Sequence, residues 1–568
     1  MLENIIKQGG NIMYKLRKTT AMLMALAMLF ACIPTVFAGT DTAEPAEVQY
    51  LESGQPNVPK LSKAEITELL EANPTDTPTE TSDVFDEEPS CTAPYSAGKM
   101  TDTLLQRGLS RLNALRTIAG IDPVALDADL CESAQFGAVL LAASNFSHYP
   151  DQPEDMDDDF YQLGYAATSS SNIYGGVYFL TTMDGFINDS DASNVDRLGH
   201  RRWELNPTMG KVGFGYAYNA SSTYRYYTCE KVFDRSHTAV EYEFISWPPS
   251  GNFPNNTYSF ANNTAWSVTL NPDLYQTPDI TDITVTLTRE TDGYEWVLGG
   301  TEEYTAAASG RYLNVNAQWY GVPLCIIFRP DEVESYAGVY TVRIDGLKNK
   351  SGAAVDFAYR VDFFDASPLT SAPDDALNYT PGALTFQTNA AYPFYYTETD
   401  GRTVGVSGNA GVSNSQSFVQ LTQDFAVGDV ISFDYYYYPR NSYDSFVFSM
   451  DGITLLQPDS TAGEWASFSY TIEYAGQKTF KWTYAKRYAF GSGEDKLMLD
   501  NIRITHPVTL LGDADGNGVL SFADVAALYG IIFGGDVSPE LAAVCDVNGD
   551  GSISFADVAA LYGIVLGS

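Results

Sequence analysis

Basic side chains are scarce in this 568-residue chain: 32 lysines and arginines stand against 72 aspartates and glutamates, a formal net charge of -40. Such a surface repels phosphate backbones and anionic lipid headgroups, which speaks against nucleic acid as a partner. Cysteine is equally sparse. The five after residue 38, Cys91, Cys131, Cys229, Cys325 and Cys545, are odd in number and far apart. They show neither a disulfide framework nor zinc-ligand spacing; at most one or two bridges can form, and buried free thiols are the other reading. Only four histidines occur. G-x-S-x-G, H-E-x-x-H and Gly-rich phosphate loops are missing, and no carboxylate pair stands out as a glycosidase dyad. Past the N-terminus no run is apolar enough to span a bilayer, so no transmembrane anchor is expected. The 13% aromatic content argues against wholesale disorder.

The length sets an expectation of roughly three to five folding units. Lys15, Arg17 and Lys18 precede a charge-free stretch from Thr19 that ends in Val36-Phe37-Ala38. Residues 1–38 therefore read as a signal peptide, and the expected location is secreted, extracellular. Its removal takes four basic residues and one acidic one, leaving a charge of -43. A lipoprotein cut before Cys32 is the rival reading, which bulky Phe30 fits poorly.

Residues 39–95 form an acidic, Pro- and Thr-rich linker, with one short helix marked by the capping box Ser62 and Glu65. From Leu104 to Ile118 the leucines recur at three- and four-residue steps, predicting an amphipathic helix that Gly120 stops, and an Ala-rich helix follows over Ala128–Ala143. Strands at 210–216 and 223–227 make 96–244 an α+β domain. Short β-rich runs then predict an immunoglobulin-like sandwich over 245–366 and a jelly-roll-like sandwich over 367–506. In the latter, Tyr392, Phe394, Tyr435, Tyr437, Trp465 and Trp482 could stack on sugar rings or alternate into the core. Asp434, Asp451 and Asp500 could chelate a structural calcium or be ordinary turn and strand residues.

Two segments near the C-terminus nearly repeat each other, the second starting 33 residues after the first. Asp513, Asp515, Asn517, Ser521 and Asp524 fall at loop positions one, three, five, nine and twelve, and Val519 offers a carbonyl at seven. Asp546, Asn548, Asp550, Ser552, Ser554 and Asp557 do the same in the second loop, and each loop has glycine at six. Calcium prefers six to eight hard oxygens, and this spacing wraps one ion per loop before a helix begins. Val525, Leu528 and Ile532, then Val558, Leu561 and Val565, support those helices. His506-Pro507-Val508 leaves no room for the entering helix of an EF-hand. Residues 508–568 resemble a dockerin of type I. The resemblance implies two Ca²⁺ ions and, as partner, a cohesin module of a scaffoldin in a cellulosome-type complex for plant-fibre breakdown. It places cohesin contact at the helix starts, here Phe522 and Ala523, and Phe555 and Ala556. Because both halves carry the same pair, either half is expected to face the partner.

Arg111-Leu112-Asn113-Ala114-Leu115-Arg116, Phe146-Ser147-His148, Ser171-Asn172-Ile173-Tyr174 and Gly199-His200-Arg201-Arg202-Trp203-Glu204-Leu205-Asn206-Pro207 stand in an order that resembles the CAP superfamily, or SCP-like domain. The resemblance implies a cleft lined by histidines and carboxylates in which some members bind a divalent metal. It makes His148, His200 and Glu204 the candidate acid-base residues. Ser171 stands where the bacterial family usually has glutamate, which weakens any peptidase reading. His237 and His506 match no motif and read as loop residues. The expected whole is multidomain: an α+β sandwich (CAP-like), two all-β sandwiches (Ig-like, then jelly-roll-like) and a small all-α calcium-binding dockerin. The function expected first is an accessory subunit whose CAP domain binds a ligand, with polysaccharide as a further partner; a hydrolase, either a CAP-cleft peptidase or a glycan-cleaving enzyme, is the alternative.

Overall fold

Thr101 accepts the backbone N–H of Leu104 and so starts the helix Asp102–Ile118, whose leucines at positions 104, 105, 112 and 115 are all buried. Gly120 leaves it with φ +74°, the left-handed turn that ends many helices. These features belong to a computed structural model that describes residues 49–566, except 239, 400, 440–442, 460–463, 488–494, 507–509, 516–519 and 535–538. The expected signal peptide, the start of the linker, and the loop ligands Asn517 and Val519 lie outside the described residues.

The second helix, Ala128–Ala143, is capped by Asp127 and lies on a four-stranded sheet ordered Ala125–Leu126, Lys211–Tyr218, Tyr226–Lys231, Asn172–Gly175. Gly213 and Gly215 permit that approach. A Cβ at Gly215 would meet the Ala134 carbonyl carbon at 2.2 Å, and one at Gly213 would meet that of Leu130 at 2.3 Å. The strand expected at 223–227 begins only at Tyr226, because Arg225 takes φ +64°, outside the extended range. The short helices Asp158–Thr168, Phe179–Asn188 and Gly199–Glu204 complete this part.

Composition marks residues 39–95 as a linker, yet from Leu51 the chain is strapped to the body. Leu51 N–H donates to Ala358 O, Gly54 N–H to Phe244 O and Gln55 N–H to Gly120 O. Arg107 pairs with Asp76, Arg111 donates to Asn73 O, and Thr77 Oγ1 accepts from Leu180 N–H. The capping-box helix is present over Lys63–Ala72, with Ile66 buried. Proline and threonine suit an extended strap as well as a free linker, and composition alone does not separate the two.

The next part holds a four-stranded sheet (Tyr312–Asn316, Cys325–Arg329, Trp266–Leu270, Phe244–Trp247) and a five-stranded one (Tyr294–Gly299, Thr284–Arg289, Gly338–Asp345, Phe357–Phe364, Gly251–Pro254). Trp266 of the first sheet meets Phe363 of the second, with ring centroids 5.5 Å apart, so the two share an aromatic core. That core is continuous with the one under Asp102–Ile118. Arg201 and Arg202, both buried, cross the junction to Ala265 O and Val322 O.

Two further sheets, of six and five strands, follow between Leu369 and Thr505. Along Val430–Tyr438 every second residue is buried. This alternation sends Tyr435 and Tyr437 inward beside Phe394 and Trp482, so these four are core aromatics. Tyr392 and Trp465 are half-buried, and the Arg402 guanidinium lies 5.1 Å from the Trp465 ring. Asp434 accepts from Ser467 and Asn501, Asp451 from Thr291 and the Thr479 N–H, and Asp500 from Arg402. Protein donors thus hold all three aspartates.

The C-terminal part is three helices, Phe522–Ile532, Pro539–Cys545 and Phe555–Val565, around Leu528, Leu561, Val525, Val558 and Cys545. Cys91, Cys131, Cys229, Cys325 and Cys545 are all unbridged, and all but Cys91 are buried. Among the described residues no helix is long and apolar enough to cross a membrane.

Candidate functional site

In the first C-terminal loop, ligand oxygens of Asp513, Asp515 and Asp524 lie within 4.8 Å of one another. Asp513 and Asp524 are fully buried. Three carboxylates at that spacing repel one another unless a cation sits among them, and hard oxygens suit calcium, so the residues present fit the ion. Asp524 also accepts the backbone N–H groups of Ser521 and Asp515, which fixes the loop's closure onto its helix.

The second loop repeats this frame: Asp557 accepts from Ser554 N–H at 2.8 Å and Asn548 N–H at 3.0 Å. Asp546 takes the N–H groups of Asp550 and Gly551, and Asp550 those of Ser552 N–H and Oγ. Gly551 has φ +85°, the turn that position six requires. Ser521 and Ser554 are the N-caps of the following helices and form capping boxes with Asp524 and Asp557. Phe522 and Phe555 are each 54% exposed at those helix starts, with Ala523 and Ala556 also on the surface.

Within the α+β part the fold brings His148 and His200 together, ring centroids 6.4 Å apart and planes 25° from parallel. His148 Nδ1–H donates to Thr168 O at 3.0 Å, since a carbonyl only accepts, which leaves Nε2 as its acceptor. His200 Nδ1–H donates to Asp189 Oδ1 at 2.7 Å, and Asp189 Oδ2 also takes the His200 N–H. Burial holds His148 below the ordinary imidazole value, helped by the nearby His200 charge. Burial also pulls at His200, but the Asp189 carboxylate outweighs it and holds that imidazole above its ordinary value. The two rings are thus tuned in opposite directions, His148 toward the neutral form and His200 toward the protonated one. A tightly held zinc-type ion needs three or more protein donors, and this pair offers two, with no third His, Cys or carboxylate joining it among the described residues.

Glu204, one helical turn after His200 on Gly199–Glu204, is fully buried against Glu230 of the strand Tyr226–Lys231. Burial first, then the neighbouring Glu230, holds the Glu204 carboxyl well above the usual range, and burial pushes Glu230 up to about 7. Among the described residues neither Glu204 oxygen has an N–H or hydroxyl donor in reach, a setting that favours the protonated form of the pair. Asn172 links the two groups, its Nδ2 lying 3.4 Å from Glu230 Oε2 and from His200 O. Ser171, standing in for the family glutamate, donates to Ala167 O. Asp189 and Glu230 escaped the sequence reading. An acid inside the apolar run Tyr226-Tyr227-Thr228-Cys229-Glu230 was the available signal for the second; Asp189 had none. His237 lies 3.8 Å from Asp122, and His506 pairs with Asp429.

A model of the CAP, cysteine-rich secretory protein family, matches residues 109–231, and one of the type I dockerin domain matches residues 511–566. The chain therefore carries a CAP domain and, at its C-terminal end, a type I dockerin domain. No curated protein matches it. Among solved structures, the secreted serine protease VesC from Vibrio cholerae is 10% identical, with TM-score 0.21 over 45% of this chain and 49% of that one. This chain thus spans about half of VesC. TmCBM61 in complex with β-1,4-galactotriose is 10% identical, with TM-score 0.17 over 24% and 98%. The xylan-binding domain CBM22-1 of Paenibacillus barcinonensis Xyn10C is 13% identical, with TM-score 0.16 over 24% and 91%. Overlaps this low carry no argument about what this chain binds.

Proposed function

We infer that the protein is a secreted accessory subunit of a cellulosome-type complex, built of units 96–244 (CAP), 245–366 (immunoglobulin-like sandwich), 367–506 (jelly-roll-like sandwich) and 508–568 (dockerin). Two calcium ions, held by Asp513, Asp515, Asn517, Val519, Ser521 and Asp524 and by their counterparts 546–557, order the dockerin for a cohesin module of a scaffoldin. The observation that carries this reading is the Asp513, Asp515 and Asp524 cluster, closed by the first turn of a helix whose first residue, Phe522, is exposed. Phe522, Ala523, Phe555 and Ala556 are the proposed contacts. The test is capture of the chain on an immobilised cohesin of matching class with calcium, and its release by a chelator.

Polysaccharide is the proposed ligand class for the remainder. A groove of about 1190 Å³ is lined by Gln387, Gln416, Gln420, Ser449 and Thr483, amides and hydroxyls that suit sugar hydroxyls. Retention on insoluble cellulose, xylan or mannan supports this, and passage through all three opposes it. The oppositely tuned pair His148 and His200 favours a second reading, a hydrolase working through the CAP cleft. Turnover of casein or plant glycans that is abolished by His148→Ala would establish that reading over the accessory one.

A further inference from the structure

Lys486, Asp444 and Asp495 lie together in the jelly-roll-like part with fully buried side chains. Lys486 is the last residue of Gly476–Lys486, Asp444 directly precedes Ser445–Met450, and Asp495 directly precedes Lys496–Thr505. Ser445 pairs with Ala485 in an antiparallel register, so Asp444 stands across from Lys486 within the six-stranded sheet. Asp495 leads into the five-stranded sheet. Lys486 Nζ contacts Asp495 Oδ2 directly, and Asp444 Oδ2 is 3.5 Å from the same nitrogen. The Tyr484 hydroxyl lies 3.2 Å from Asp495 Oδ2, and the Tyr437 hydroxyl donates to Asp444 O. All three charged side chains are closed from water, and Tyr437 and Tyr484 belong also to the neighbouring aromatic core.

One ammonium and two carboxylates out of water are costly. A reaction that removes two of the three charges relieves that cost. We propose that Lys486 and Asp495 condense into an intramolecular isopeptide bond, with Asp444 relaying the proton. Within the buried pair the Lys486 ammonium first passes one proton to the Asp495 carboxylate, giving a neutral amine and a neutral acid. The amine lone pair attacks Asp495 Cγ and forms the Nζ–Cγ bond. Asp444 takes the second proton from Nζ and delivers it to the departing hydroxyl, the Cγ–Oδ2 bond breaks, and one water leaves. Charge and atoms balance with no oxidant and no co-reactant. The amide left behind joins the two sheets covalently, and a chain nicked between 487 and 494 stays in one piece.

The test is mass spectrometry of the full chain, denatured and reduced. The expected mass is one water below that of the sequence from its observed N-terminus. Trypsin should leave Lys486 uncut and yield 482–487 joined to 488–496 as a branched peptide. Lys486→Arg, which keeps the cation, and Asp444→Asn, which keeps the shape but not the relay, should both return the full mass, with melting curves reporting that each variant folds. A wild-type chain at full mass, cut after Lys486, overturns the proposal. So does a chain one water lighter whose two fragments separate, since that marks a cyclised aspartate instead.

Discussion

Phe522 and Tyr562 meet edge to face, with ring centroids 5.4 Å apart. Their counterparts one repeat away, Phe555 and Tyr529, repeat the contact at 5.8 Å. Exchanging the two halves of the dockerin maps one pair onto the other, so each helix start presents the same phenylalanine propped by a tyrosine from the opposite helix. The two-way model expects a partner that recognises one start to accept the other as well.

Two equivalent modes make the observed association constant twice that of either alone. Phe522→Ala should therefore weaken cohesin binding only about twofold, roughly 0.4 kcal/mol, and Phe522→Ala with Phe555→Ala should lose most of it. Calorimetry with the cognate cohesin reads both. Complete loss from Phe522→Ala alone contradicts the two-way model.

The buried pair Glu204 and Glu230 gives a pH signature. Both carboxyls are held above the ordinary glutamate value of 4.5, Glu230 at about 7, so the folded chain keeps a proton that the unfolded chain releases. The Glu230 contribution to stability is full below the ordinary value and is lost as pH rises through about 7. Glu230→Gln should flatten this fall, raising the melting temperature relative to wild type at roughly pH 8 more than at roughly pH 5. A pH-independent offset between the two proteins would speak against a shared proton.

Arg111 grips Asp184 with two hydrogen bonds, Nε to Oδ2 at 2.7 Å and Nη2 to Oδ1 at 2.6 Å, and both side chains are buried. The same guanidinium holds the strap at Asn73 O, and Thr257 Oγ1 adds a bond to Asp184 from the β part. Asp184→Ala leaves an unpaired buried cation and should cost about 3–5 kcal/mol in urea unfolding. A loss under about 1 kcal/mol, typical of exposed pairs, would contradict that role.

The five unbridged cysteines predict that a reductant leaves the melting temperature unchanged. Of these five, a thiol reagent acting on the folded chain should reach Cys91 alone, and slowly, since burial pushes its thiol up to about 11. A drop in stability on reduction would reveal a bridge.

The helices Asp102–Ile118 and Ala128–Ala143 were legible because a 3.6-residue period and a capping residue are local signals. The dockerin repeat was legible for a similar reason, since each loop carries its motif in twelve consecutive residues. The Asp189–His200 bond and the Glu204–Glu230 pair were not, since their partners come from separate elements that only the tertiary fold joins. The strap from Leu51 was hidden by composition, because its bonds are backbone groups donating to distant carbonyls.

The central claim is that paired oxygen loops bind calcium and so build the docking surface. The most direct measurement is calorimetric titration of the chelator-stripped full chain with calcium, beside Asp513→Ala with Asp546→Ala. The account predicts heat for two ions per wild-type chain, accompanied by a gain in helicity, and neither in the double variant. A wild-type titration that gives no heat and no added helicity, or a double variant that titrates like wild type, contradicts it.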